Sequence, residues 1–162
     1  MARMRIRTMM GLAGCLLLAG CKDIPLGNKP YIRPLPSEPQ AMLGVNSSEA
    51  GGFSILSVKE SGCFIGTSPA AGRVRAEQDA FLGFDINAGM CHIDFTFKPT
   101  AGGVYELEGK RWQEADREMC GVRVVDARDP QHPVTVPLHR FSMKVRGFAC
   151  IKPEIGGNLV PF

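Results

Sequence analysis

The chain has 162 residues, with 19 lysines and arginines against 16 aspartates and glutamates, which gives a formal net charge of +3. That excess lies in residues 1–20, which hold Arg3, Arg5 and Arg7 and no acidic residue. Residues 21–162 are therefore neutral overall, and they lack the positive charge that binding to nucleic acid requires. The length fits one folded domain.

The first predicted element is a signal segment. The three arginines precede an apolar run over residues 9–18, and the segment ends in Leu18-Ala19-Gly20-Cys21. Small residues before a cysteine are typical of the site that the lipoprotein signal peptidase cuts, after the thiol has accepted a diacylglyceryl group. We therefore predict that residues 1–20 are a cleaved signal peptide. Cys21 would then carry fatty acyl chains, such as palmitate, that anchor the mature protein in a membrane.

Two alternative interpretations of this segment are weaker. The apolar run is about half the length of a membrane-spanning helix, which needs about 20 residues. Cleavage before Cys15, in a second copy of the motif, would leave three leucines at the mature end.

Lys22, in place of an aspartate after the lipidated cysteine, favours export to the outer membrane. We predict a location on its periplasmic face, where cysteines oxidise to disulfides.

Residues 21–50 form the next region. They contain five prolines, show no apolar periodicity and close on the cluster Asn46-Ser47-Ser48. Segments of this composition are extended linkers, so we predict a tether for a domain that spans residues 51–162. The alternative is a short edge strand at residues 31–32 or 42–45, because apolar runs beside prolines suit edge positions.

From residue 51 onward, apolar residues recur with a period of two, the pattern of half-buried strands. In residues 90–97, one face carries Cys91 and three large apolar side chains. A turn at residues 98–103 leads to a strand over residues 104–107, so we predict that these two strands form a hairpin. Further strands are predicted at residues 53–58, 63–66, 72–76, 80–86, 120–125, 134–138 and 142–151.

One segment departs from this alternation. Residues 111–119 combine charged side chains with Trp112 and fit either a short helix or a loop. The short strands on either side of it are separated by turns rich in glycine and proline. This arrangement indicates an all-β fold, and specifically an antiparallel β-sandwich.

Residues 95–105 follow the pattern F-x-F-x-P-x-A-G-x-x-Y. It resembles a pattern found in small uncharacterised lipoproteins of Gram-negative bacteria, and the resemblance covers about residues 51–138. It implies an immunoglobulin-like sandwich and no catalytic residues. Tyr105 is then expected to form a tyrosine corner, with its ring in the core and its hydroxyl bonded to backbone across the turn. An ordinary strand aromatic is the alternative.

Four cysteines follow the lipidation site, namely Cys63, Cys91, Cys120 and Cys150. Four cysteines allow three pairings, and the sequence alone does not choose among them. The resembling lipoproteins carry one cysteine before the first strand of the pattern and another after the tyrosine strand. This favours a bond between Cys91 and Cys120, with Cys63 bonded to Cys150. We expect each bond to stabilise the fold by about 2–4 kcal/mol.

Metal binding and catalysis have little support in the sequence. No two cysteines have a C-x-x-C spacing, and consecutive Cys91 and His92 point to opposite strand faces, so we expect no metal and no cofactor. His92 and Asp94 share a strand face and offer an acid–base pair, with His139 nearby. Polar residues on an outward face are nevertheless ordinary, and no G-x-S-x-G motif occurs. We predict that the protein is not an enzyme.

The charged segment is the predicted partner surface. It contains Arg111, Trp112 and Arg117, and tryptophan and arginine dominate binding hot spots. We expect a lipid-anchored envelope lipoprotein that binds or scaffolds another envelope component. An inhibitor or accessory factor of an envelope hydrolase or a secretion system is the alternative. An enzyme acting on envelope polymers comes last, and it would need carboxylates or histidines that converge in a concave site.

Overall fold

The computed structural model describes residues 29–46, 51–86, 91–148 and 150–162. The signal segment and Cys21 lie outside these residues. Every regular element within them is a strand, in agreement with the all-β prediction. The strands are β1 (Gln40–Val45), β2 (Gly51–Val58), β3 (Phe64–Pro69), β4 (Gly72–Arg75), β5 (Ala80–Ile86), β6 (Cys91–Phe97), β7 (Val104–Glu114), β8 (Arg117–Asp126), β9 (Val134–Thr135), β10 (Leu138–Val145) and β11 (Ile151–Leu159). No helix in this part of the chain is long and apolar enough to cross a membrane.

The strands form two sheets around one core. A five-stranded sheet has the order β4-β1-β7-β8-β9, and a six-stranded sheet has the order β11-β10-β6-β5-β2-β3. Neighbouring strands are antiparallel except for β1 and β7, which are parallel. Apolar side chains from both sheets fill a single buried cluster that includes Leu43, Phe84, Phe95, Leu107 and Val124. The predicted sandwich of two mostly antiparallel sheets is confirmed at this level.

The two sheets approach closely where β5 faces β7. A Cβ atom on Gly109 would lie 2.2 Å from Cζ of Phe84, so the glycine provides the space that this ring occupies. Nearby, a disulfide joins Cys91 of β6 to Cys120 of β8 and links the sheets covalently. The second disulfide joins Cys63 to Cys150. Both predicted pairings are confirmed.

The expected hairpin between residues 90–97 and 104–107 is wrong. β6 belongs to the six-stranded sheet and β7 to the five-stranded sheet, so residues 98–103 cross from one sheet to the other. Tyr105 supports this crossing. Its ring packs against Phe97 at 5.1 Å between centroids, and its hydroxyl accepts a hydrogen bond from the backbone N–H of Thr100. These are the two contacts expected of a tyrosine corner.

Residues 111–119 form neither a helix nor a loop. They complete the β7–β8 hairpin, in which Glu114 pairs with Arg117 around a turn of two residues. Ala115 and Asp116 both have positive φ values, of 46° and 64°, as this kind of tight hairpin turn requires. A cross-strand ion pair between Arg111 and Glu118 stabilises the hairpin, so the charges that suggested a helix act between strands.

The last predicted strand, at residues 142–151, is in fact the meeting point of two strands. β10 ends at Val145 and β11 begins at Ile151, and the chain turns between them. Gly147 adopts a φ of 71° in this turn, a conformation that glycine accepts without strain. Cys150 lies directly before β11, where its disulfide fixes the returning strand.

The predicted boundary at residue 51 is wrong for the described part of the expected linker. β1 lies between β4 and β7 inside the five-stranded sheet, and it contributes buried Ala41 and Leu43 to the core. This strand corresponds to the alternative predicted at residues 42–45, but it lies inside the sheet and not at its edge. Residues 29–33 also belong to the fold, because Lys29 donates a backbone hydrogen bond to Ile65 and Tyr31 packs against the core.

Candidate functional site

The outward face of the six-stranded sheet is concave. Its two edge strands, β3 and β11, contact each other, although four strands separate them in the sheet. The disulfide between Cys63 and Cys150 joins the residues that precede these strands, with Cα atoms 5.2 Å apart. Because the sheet curls until its edges meet, side chains that point away from the sandwich core converge on a common space.

This space is a groove of about 500 Å³, and all six strands of the sheet contribute to its walls. The volume lies in the usual range for sites that bind small molecules. Its apolar wall consists of Leu56, Phe64, Met143 and Ile151. Its polar side chains are Ser54, Thr67, Asp85, His92 and Asp94. Mostly apolar walls with a few converging polar groups are characteristic of ligand sites.

His92 lies between two carboxylates in this groove. Its Nδ1 is 2.7 Å from Oδ1 of Asp85, and its Nε2 is 3.1 Å from Oδ1 of Asp94. The β5–β6 register places Asp85 directly opposite His92, and the strand period places Asp94 on the same face two residues later. The side chains of His92 and Asp85 are about half exposed, so the cluster remains accessible from the groove.

The two carboxylates raise the pKa of His92 above its ordinary value of 6.5. The largest cause is the hydrogen bond with Asp85; partial burial opposes it, and the charge of Asp94 and its hydrogen bond add to the increase. Protonation lets both ring nitrogens donate to carboxylates at once. In the structure Nδ1 is hydrogen-bonded to Asp85 and Nε2 lies within ion-pair distance of Asp94, so each ring nitrogen has a carboxylate beside it.

Gly83 forms the floor beneath the charged cluster. A Cβ atom at this position would lie 3.0 Å from Oγ of Ser54, 3.6 Å from Oδ1 of Asp94 and 3.8 Å from Cε1 of His92. The missing side chain keeps this end of the groove open. Any larger residue at position 83 would therefore fill the space beside Asp94 and His92.

The structure brings together two of the three residues considered for acid–base chemistry. His92 and Asp94 contact each other, whereas His139 lies on β10 opposite Thr96 and is not among the residues that line the groove. Sequence reasoning missed Asp85. Its position opposite His92 depends on the register of β5 and β6, and the only signal for that register in the sequence is the turn-forming composition of Asn87-Ala88-Gly89.

The predicted partner surface is divided. Trp112 and Arg117 lie on one face of the β7–β8 hairpin, and strand alternation places Arg111 on the other. The Trp112 ring lies 6.4 Å from the ring of Phe162, centroid to centroid, and Nζ of Lys110 lies above both rings. Arg111 is paired with Glu118 at 2.6 Å. Arg111 thus lies on the opposite face from Trp112 and Arg117, although Arg111 and Trp112 both line a depression beside the hairpin turn.

Among the residues that the structure describes, no group of three or more histidine, cysteine or acidic side chains is arranged to hold a metal ion. No family model, no curated protein and no solved structure matches the chain. The groove and the N-terminal sequence are therefore the features of this chain that bear on its function.

Proposed function

We propose that this chain is a lipid-anchored lipoprotein of the outer membrane, on its periplasmic face, and that it binds an envelope component through the groove without catalysis. One observation carries the proposal: every strand of the six-stranded sheet contributes to a concave, largely apolar site. A curled sheet whose edges are joined by a disulfide holds such a site in shape before a ligand arrives. That preorganisation lowers the cost of binding.

The anchoring part of the proposal is supported by the signal sequence that ends at Cys21. Because the fold already includes Lys29, only residues 22–28 separate it from the lipidated cysteine. Seven extended residues reach at most about 25 Å. The domain would therefore stand close to the membrane surface, and not at the end of the long tether that the prolines suggested.

A binding role is favoured over catalysis by the state of His92. Carboxylates and a histidine do converge in a concave site, as an enzyme acting on envelope polymers would require. Nδ1, however, is already hydrogen-bonded to Asp85, and Nε2 is paired with Asp94 at 3.1 Å. The cluster is thus suited to present fixed charge to a ligand. We also propose, from the pattern at residues 95–105, that the sandwich is immunoglobulin-like.

The groove is tested with an apolar fluorescent probe, N-phenyl-1-naphthylamine, and the mature chain carrying Cys21→Ser. We expect saturable enhancement of fluorescence. Met143→Glu should weaken it at least tenfold, because the carboxylate would stand in the apolar wall. Met119→Glu is the matched control, since Met119 lies on the β7–β8 hairpin, outside the groove. An absence of saturable binding, or equal losses in the two variants, would refute the proposal.

The anchor is tested separately by fractionation of cells that express the full chain or its Cys21→Ser variant. The wild-type chain should fractionate with outer membranes and the variant should be soluble. If the variant still sediments with membranes, lipidation at Cys21 is not the means of attachment.

A second candidate function is that of an inhibitor or accessory factor, and the β7–β8 hairpin favours it. The hairpin ends in the tight turn at Ala115 and Asp116, and residues 114–119 are all exposed. A projecting hairpin of this kind suits insertion into a partner's cleft. A photoreactive residue at position 112, compared with one at position 92, distinguishes the two functions in living cells. Capture of a defined envelope enzyme from position 112 alone would favour the hairpin.

A further inference from the structure

We infer that the ligand of the groove is an amphipathic amine, with its apolar part against Leu56, Phe64, Met143 and Ile151 and its ammonium group beside Asp85 and Asp94. The inference rests on the proposed binding function and specifies the chemical class of the ligand. The arrangement of charge and apolar surface within the groove supports it.

The charged residues of the groove are unbalanced. Among the residues that the structure describes, its lining contains two carboxylates and one imidazole, and no lysine or arginine. With His92 protonated the lining carries one net negative charge, and with His92 neutral it carries two. Each contact with His92 uses Oδ1 of an aspartate, and a carboxylate accepts several further hydrogen bonds. An ammonium group therefore finds both charge complementarity and acceptors at this end.

The apolar wall determines the other half of the ligand. Leu56 is 7% exposed, and it lies with Phe64, Met143 and Ile151 along the same groove as the carboxylates. An alkyl chain that covers these side chains removes apolar surface from water, which favours binding. The groove is open beside the carboxylates because Gly83 has no side chain. The two requirements are therefore met by one molecule with a cationic end and an apolar body.

Two other ligand classes of similar size should bind more weakly. A fatty acid would bring a third carboxylate beside Asp85 and Asp94, and the described part of the lining has no lysine or arginine to balance it. A neutral alcohol would make the apolar contacts but gain little from the charges. The order of affinity should therefore be amine, alcohol, carboxylate for chains of the same length.

Isothermal titration of the mature Cys21→Ser chain at pH 8 with octylammonium, 1-octanol and octanoate tests this order. We expect octylammonium to bind at least fivefold more tightly than octanol, with octanoate weakest. The preference should shrink as salt is raised, because the carboxylates are partly exposed. It should also shrink when the pH falls far enough to protonate His92.

Two matched variants locate the effect. Asp94→Asn should reduce the affinity for octylammonium at least fivefold and leave that for octanol unchanged. Asp116→Asn removes the same charge from the hairpin turn, where an asparagine accepts the positive φ, and should change neither affinity. Asp85→Asn serves if Asp94→Asn fails to fold.

The outcomes separate the two proposals. If octanol binds as tightly as octylammonium, or if octanoate binds best, the groove is a ligand site but the amine inference is wrong. If none of the three binds and the fluorescent probe also fails to bind, the proposed binding function itself is wrong. An amine preference that survives Asp94→Asn and Asp85→Asn together would likewise overturn the inference.

Discussion

At the scale of single residues, the protonation of His92 is coupled to folding. Its ion pair with Asp85 exists only when β5 and β6 are in register, and its pair with Asp94 depends on the extended conformation of β6, so its pKa is higher in the folded than in the unfolded chain. Because its pKa is higher in the folded chain, protonation of His92 stabilises the folded state. This stabilisation is complete at pH values below the unfolded pKa of about 6.5. That stabilisation is lost as the pH rises through the folded pKa.

We therefore predict that His92→Gln lowers stability more at pH 6 than at pH 8.5. Urea unfolding of both proteins at the two pH values measures the difference, which should be small because the imidazole is half exposed. Asp85→Asn should lower the pKa of His92, which is read from its ring proton shifts. A wild-type pKa at or below 6.5 would contradict the prediction.

Part of the cluster of Asp85, His92 and Asp94 follows from the local sequence, and part of it depends on how the strands pair. Strand alternation alone put His92 and Asp94 on one outward face, and the structure confirms that they are in contact. Asp85 lies seven residues earlier, and only the cross-strand register brings it to the imidazole. The concavity was not predictable from local pattern, because it arises from contact between β3 and β11, which lie far apart in the sequence.

At the scale of elements, the edges of the sheets are protected by the segment at residues 29–33. Lys29 donates its backbone N–H to Ile65 of β3, and Arg33 donates side-chain hydrogen bonds to the carbonyls of Arg73 and Pro69. The hydroxyl of Tyr31 accepts from the N–H of Arg75. These contacts occupy groups that an open edge would offer to another chain.

Gly66 makes this cover possible, because a Cβ atom there would lie 2.2 Å from the carbonyl oxygen of Lys29. We predict that Gly66→Ala destabilises the protein by about 1–3 kcal/mol and releases the segment from β3. Chymotrypsin should then cleave after Tyr31, which is followed by Ile32, much faster than in the wild type. Gly52→Ala is the control, since its Cβ would meet nothing within 4 Å. Unchanged cleavage in Gly66→Ala would show that the segment is held by other contacts.

The predictions for β1 and for residues 111–119 were wrong for the same physical reason, namely that strand pairing is not visible in the local sequence. The five prolines of residues 21–50 indicated a linker, yet β1 pairs with β4 and β7 and buries Ala41 and Leu43, although two apolar residues are too few to show a period. Residues 111–119 were misassigned because charges that pair across a hairpin have no period of their own. The local pattern identified most strands, whereas tertiary pairing decided which strands were neighbours.

At the scale of the whole molecule, the two disulfides have different structural roles. The bond between Cys91 and Cys120 links the two sheets through the core and closes 29 residues of chain. The bond between Cys63 and Cys150 joins the two edges of one sheet and closes 87 residues. From loop length alone, the first should stabilise the fold by about 3–4 kcal/mol and the second by about 4–5 kcal/mol.

The two disulfides should differ more in their effect on ligand binding than in their effect on stability. Replacing Cys63 and Cys150 with serine frees β3 from β11, so we predict that the groove widens and that affinity for N-phenyl-1-naphthylamine falls at least fivefold. Replacing Cys91 and Cys120 with serine should lower the urea midpoint by a comparable amount but leave the affinity within twofold, because the edges remain joined. Both measurements are made under conditions in which each variant is fully folded. If the two double variants lose affinity equally, curling of the sheet does not depend on the edge disulfide, and the packing of β3 against β11 alone would have to maintain the groove.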